Sequence, residues 1–215
     1  MAEKTDSRDM VIIHSVFRRE LRLAPDMVRA VPDGDTTRSG VVSEHLTDLL
    51  DLLHHHHEGE DQLLWPKLRE RAAEFTDLFD SMDADHGSIG SSIDAVQSAL
   101  RDWAGTADRA HGDRLAEALD ALLPPLVDHL DREEERILPL VDQLLTPEEW
   151  GELGARGFGL LPPQKAMIVL GQMAEDTPEE WGELGARGFG LLPPQKAYTT
   201  IGAPAYLDYV GTVRR

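Results

Sequence analysis

The chain has 215 residues, with 40 Asp and Glu against 21 Lys and Arg, a formal net charge of −19, nine histidines and no cysteine. That length holds one domain, or one domain with an appendage. An acid excess of this size repels phosphate backbones and anionic lipid, which argues against nucleic-acid binding. The lack of cysteine rules out disulfides, thiolate zinc sites, iron–sulfur clusters and thiol nucleophiles, so any metal must be held by imidazole and carboxylate. The charged N-terminus leads into only four apolar residues before His14, too few for a signal-peptide core, and no apolar run approaches a membrane span. A soluble cytoplasmic protein with no membrane partner is expected.

Apolar residues recur at helical spacing through the first 145 residues, which predicts an all-α fold. Helix A is expected from about Asp9 to Val31, bent at Pro25, and is followed by the turn Pro32-Asp33-Gly34-Asp35-Thr36. Helix B should start near Thr37 or Ser39 and run to between Arg71 and Glu74. Helix C is placed at Thr76 to Trp103 and helix D at Gly112 to Leu145. Short connections between four helices imply an up-down-up-down bundle.

After Leu145 the composition shifts. Residues 1–145 carry 31 acids and 15 bases, whereas residues 146–215 carry 9 and 6 and are rich in Gly and Pro. We therefore divide the chain into a bundle, 1–145, and a C-terminal extension of short helices, 146–215. The extension holds a 21-residue block, Thr146 to Ala166, repeated without change as Thr177 to Ala197. Two identical copies point to duplication rather than to a solenoid, which needs more units to bury a core. Each copy opens with a capping sequence, Thr-Pro-Glu-Glu, and should form a short helix ending at Pro-Pro. Further short helices are expected at Met167 to Ala174 and Pro204 to Val213.

The histidines contain a repeat. His56-x-x-x-Glu60 is followed six residues after the Glu by Pro66, and His129-x-x-x-Glu133 by Pro139 at the same interval. All three positions shift by 73. A further histidine precedes each pair, His14 by 42 residues and His86 by 43. Each half of the bundle thus supplies His, His and Glu, and residues four apart share one helix face. The rival registers fail the same shift: His54/Glu58 maps onto Val127/Asp131, and His57/Asp61 onto Leu130/Glu134, neither keeping the imidazole. The stripe Leu49, Leu53, His56, Glu60, Leu63 places the pair on the core face of helix B, although Leu46, Leu50, His57, Asp61, Leu64, Leu68 is almost as regular. His57 or Asp61 is expected to orient a ligand from behind. His54, His55 and His111 read as solvated or loop residues, and Glu134 and Glu135 as a charged face. His45 lies three turns from His56, about 16 Å along the axis, too far to join it.

Buried carboxylates are costly unless paired or metal-bound, so Glu60 and Glu133 on core stripes call for a cation. Two His and one carboxylate with open positions suit non-haem iron, with manganese and zinc as alternatives. Two such sets make a dinuclear centre in which Glu60 and Glu133 bridge, while His14 with His56, and His86 with His129, cap the two sides.

On these motifs, His14-x-x-x-Arg18, His56-x-x-x-Glu60 ending in Leu64-Trp65-Pro66, Asp85-His86, and His129-x-x-x-Glu133 ending in Ile137-Leu138-Pro139, the chain resembles haemerythrin-like HHE cation-binding proteins of the bacterial type over about residues 9 to 145. The resemblance implies a bundle around an oxo-bridged centre of two iron ions that binds or senses oxygen, nitric oxide or peroxide, or helps to repair iron–sulfur centres. Gly90 stands four residues after His86, where oxygen-carrying members of the family have a further histidine. Binding or sensing is preferred to catalysis because no general acid or substrate motif accompanies the ligands. A peroxide- or nitric-oxide-consuming enzyme and an iron store or donor are the alternatives.

Overall fold

The computed structural model describes residues 4–176 and 203–214, and among these it is helical throughout, with no strand. Helix α1 spans Arg8–Arg29, α2 Thr36–Gly59, α4 Thr76–Ala104 and α5 Arg109–Arg136. The four pack as a ring in which α1 and α4 each touch both α2 and α5. Pro25 lies inside α1, and Pro124 and Pro125 inside α5. Two of the helices start on aspartate caps: Asp35 accepts from the Arg38 N–H and Asp108 from the His111 N–H, satisfying donors that the first turn leaves free. The loops preceding these helices are tied together, since Gly34 N–H donates to the Ala107 carbonyl at 3.0 Å and Arg109 N–H to Asp33 at 2.8 Å.

The second and fourth bundle helices are each interrupted. Where one continuous helix B was expected, α2 passes into a single π turn, Glu60–Leu64, and then α3, Trp65–Arg71. Likewise α5 stops at Arg136, with a turn at Ile137 before α6, Leu138–Leu144. Pro66 and Pro139, the repeat partners, sit just inside α3 and α6. A proline there has no N–H for the preceding turn and its ring crowds the carbonyl four residues back, so both helices restart at the same place.

The apolar interior forms two clusters. The larger fills the bundle between α1, α2, α4 and α5 and includes Phe17, Leu46, Leu50, Leu53, Leu119 and Leu126. The smaller includes Leu64, Trp65, Leu68, Phe79, Met82 and Ile137.

In the extension, α7 is Pro147–Gly159, α8 Pro163–Asp176 and α9 Ala203–Val213. Thr146 and Glu149 form the expected capping box on α7. Arg71 reaches Glu149, Lys67 reaches Glu152 and Arg156 pairs with Glu58, so α7 is docked by charge on the α2–α3 side. Val169, Leu170, Met173 and Val213 join the larger apolar cluster, so the extension shares the bundle's core. Arg38 holds the Thr212 and Val213 carbonyls, Tyr209 Oη and His45 Nδ1 are hydrogen-bonded at 2.6 Å, and Arg214 bridges Glu20 and Glu175. Gly171 lies where a Cβ would collide with the Tyr206 ring, which fixes how closely α8 and α9 approach. The second copy of the repeated block, residues 177–197, lies outside the described residues.

Trp150 on α7 is buried and its indole N–H donates to Asp9 Oδ1 at 3.0 Å, as does the Met10 N–H. Burial outweighs these two donors and raises the Asp9 carboxyl from 3.8 to about 6. A carboxyl that titrates higher in the folded than in the open chain contributes stability below pH 4 that is lost as pH rises through 6. Asp9→Asn keeps the acceptor for both donors. It should raise the stability of the protein at pH 7.5 by about 1–3 kcal/mol and leave it unchanged near pH 3.5, measured by denaturant unfolding at the two pH values. An equal effect at both would mean that the carboxylate charge is not the cost.

Candidate metal centre

Between the two apolar clusters runs a polar layer. It collects His14 from α1, His56 and His57 from the end of α2, Glu60 from the π turn, His86 from α4, and His129 and Glu133 from α5. Six of these are the residues singled out from the sequence, and the structure brings all six together. The seventh, His57, one of two residues considered for a place behind the ligands, faces the same interior.

Two imidazole nitrogens meet on each side. His14 Nε2 is 3.1 Å from His56 Nε2, and His86 Nε2 is 3.1 Å from His129 Nε2. The carboxylates lie between them: His14 Nε2 is 3.4 Å from Glu133, His56 Nε2 is 3.1 Å from Glu60, and His86 Nε2 is 3.4 Å from the other Glu60 oxygen. His57 stacks on His86 at 4.3 Å between centroids and meets His129 edge-on. Two groups of donors result, His14 with His56, Glu60 and Glu133, and His57 with Glu60, His86 and His129, each with its ligand atoms within 4.8 Å of one another. Donors about 2.1 Å from a common ion stand at most about 4.2 Å apart, so this spacing needs only a small contraction around a cation. Glu60 belongs to both groups. Its two oxygens, both Glu133 oxygens and His57 Nε2 are buried and accept or donate no hydrogen bond. Orphaned polar atoms of this kind are rare in folded interiors, and their convergence on one point is what a cation would satisfy.

The electrostatics match lone-pair donation. Burial lowers His56 to about 4 and His129 to about 3 and pushes His57 well down, so these imidazoles are neutral. Burial also pulls on His86, but the hydrogen bond to Asp61 and the nearby Glu60 outweigh it and raise His86 to about 10. Glu133 is driven well above the usual carboxylate range by burial and by the neighbouring Glu60 charge. The layer without a metal thus holds protons on Glu133 and His86, which cations would displace.

Asp61 and Glu134 support the histidines from outside. Asp61 Oδ1 accepts from His86 Nδ1 at 2.6 Å and from the Trp65 indole at 2.9 Å. Glu134 accepts from His14 Nδ1 at 2.9 Å and is held by Arg18 at 2.7 Å. Such bonds fix which ring nitrogen faces inward. Asp61 therefore lies behind His86 in contact with its ring, whereas Glu134 is not the solvated residue expected. The 73-residue shift contained this signal, because it maps Asp61 onto Glu134, carboxylate onto carboxylate. Among the others, His54 is exposed, His55 and His111 are half-buried, and His45 sits in the polar cluster beside Tyr209 and Glu20.

The stripe expected along helix B fails at Leu63, which is only half-buried, while Leu64 is fully buried. The π turn adds a residue to one turn and rotates everything after it. Before Glu60 both helix-B stripes are internal, with Leu46, Leu49, Leu50 and Leu53 all buried, and His56 and His57 face the same layer.

A helical bundle with this inward layer of imidazole and carboxylate defines a metal-binding bundle protein. The hemerythrin HHE cation binding domain model matches residues 5–141, and the chain belongs to that family. No curated protein and no solved structure was found to match the chain. Among the described residues no helix is long and apolar enough to cross a membrane.

Because Glu133 is buried without a hydrogen bond, the layer costs stability in the absence of metal. Glu133→Leu, similar in volume, should raise the stability of the chelator-stripped protein by about 1–4 kcal/mol in denaturant unfolding. A lower stability would show that Glu133 is already satisfied.

Proposed function

We propose that the chain is a non-haem di-iron protein that binds or senses oxygen, nitric oxide or peroxide in this layer. The observation that carries the reading is the pair of donor groups sharing Glu60, with four carboxylate oxygens left without hydrogen bonds. His14, His56, Glu60 and Glu133 would hold one ion, and His57, Glu60, His86 and His129 the other. His57 completes a group that the six sequence-derived ligands leave with only three members. Five imidazoles and two carboxylates are fewer donors than two octahedral ions accept, so iron bound here supplies open coordination positions and reversible one-electron chemistry.

The protein's own residues set the terms of that chemistry. Asp61 and Glu134 keep the Nδ1 protons of His86 and His14 directed away from the centre, leaving Nε2 as the donor. Trp65 and Arg18 hold those carboxylates in place. Phe17, 5.2 Å from the His56 ring, and the apolar clusters above and below exclude bulk water. The reading includes a cytoplasmic location.

Protein purified without added metal should contain two irons per chain and show near-ultraviolet charge-transfer absorption. His56→Ala and His129→Ala should each lose most of the iron, and His57→Ala should lose it selectively from one of two binding phases. Iron content unchanged in all three would overturn the assignment. Asp61→Asn and Glu134→Gln should keep the fold and weaken iron retention against a chelator by about 10–100-fold.

A further inference from the structure

A pocket open to solvent on one side lies between the bundle and the extension, with about 670 Å³ of empty space when the solvent at its opening is included. Its walls are Met10 and Ile13 of α1, Leu52 of α2, Leu153 and Phe158 of α7 and Met173 of α8, and it ends on the His56 ring. His56 is also where the centre is least enclosed. Its side chain is 11% exposed, against 0% for His14, Glu60 and Glu133, 1% for His129 and 5% for His86. The cavity therefore meets the layer at its one thin wall.

Its outer side is built by the extension and is kept open by glycine. Gly157 of α7 lines the space, and a Cβ there would meet nothing within 4 Å. Of the polar residues at the edge, Asp9 already accepts from Trp150 and from the Met10 N–H. A pocket with mainly apolar walls favours uncharged, weakly hydrated molecules, whereas a ligand rich in O–H groups must leave its hydrogen bonds in water.

We propose that this chamber is a binding site for small apolar gases and the route by which a neutral diatomic ligand, rather than peroxide, reaches His56. The route rests on the di-iron reading above; the chamber as a gas site does not. The extension thus acts as the outer wall of the site's entrance.

The chamber is tested in the full-length, metal-free protein carrying methyl-labelled methionine, under xenon pressure. The Met10 and Met173 methyl resonances should shift saturably. Gly157→Leu, which fills the space and adds helix propensity, should abolish the shift, and Gly159→Leu, on the same helix outside the lining, should not. In iron-loaded protein, Gly157→Leu should slow nitric oxide association threefold or more and leave the rate with hydrogen peroxide unchanged. Absence of a xenon shift, or an apolar molecule of acyl-chain length found in the purified protein by native mass spectrometry, would overturn the gas site. Equal slowing of nitric oxide and peroxide would overturn the selectivity. A xenon response in a protein that holds no iron would leave the chamber standing and sink the di-iron reading instead.

Discussion

Two carboxylates enclosed in the middle of a helical bundle are the constraint around which this molecule is arranged. Glu60 and Glu133 are fully buried, and neither accepts a hydrogen bond. The desolvation of such groups is several kcal/mol each unless a cation or a proton compensates it. The rest of the layer answers to that cost: His56 and His129 kept neutral by burial, two outer carboxylates that hold ring protons outward, and apolar clusters on both sides that keep water away. The bundle supplies the stability that the layer spends. Leucines from all four bundle helices fill the larger cluster, and Trp65 and Phe79 anchor the smaller one.

The π turn at Glu60–Leu64 connects this constraint to the backbone. A regular α-helix keeps one broad face inward along its length, but one extra residue in a turn changes that face in mid-helix. The structure uses the turn at the point where ligands give way to apolar packing. Upstream of it, adjacent histidines reach the same layer; downstream, Leu64, Trp65 and Leu68 point into the second cluster.

Much of this was legible in the residues. Helical periodicity gave the all-α fold, and the bundle helices begin within a few residues of their expected positions. The shift that relates His56, Glu60 and Pro66 to His129, Glu133 and Pro139 brought out six side chains that do converge. What escaped was whatever broke the symmetry or lay in backbone geometry. His57 maps onto Leu130, so a test built on equivalence discards it. The π turn occupies Glu-Asp-Gln-Leu-Leu, a segment with no glycine or proline to mark it. The shared core of bundle and extension was hidden by the change in composition at Leu145, since among the described residues a few scattered apolar positions, Val169, Leu170, Met173 and Val213 with partly buried neighbours such as Phe158 and Leu161, carry it.

That single imidazole has a consequence of its own. Without His57 the two halves would offer matching donors, and two cations placed between them would be interchangeable. With it, one group has three imidazoles and a shared carboxylate, and the other has two imidazoles and both carboxylates. The second is the more electron-rich surrounding for a cation. Two identical ions held there would differ in affinity and in redox potential, so they would load and change valence one after the other, and the centre would have a polarity that its near-symmetric scaffold lacks.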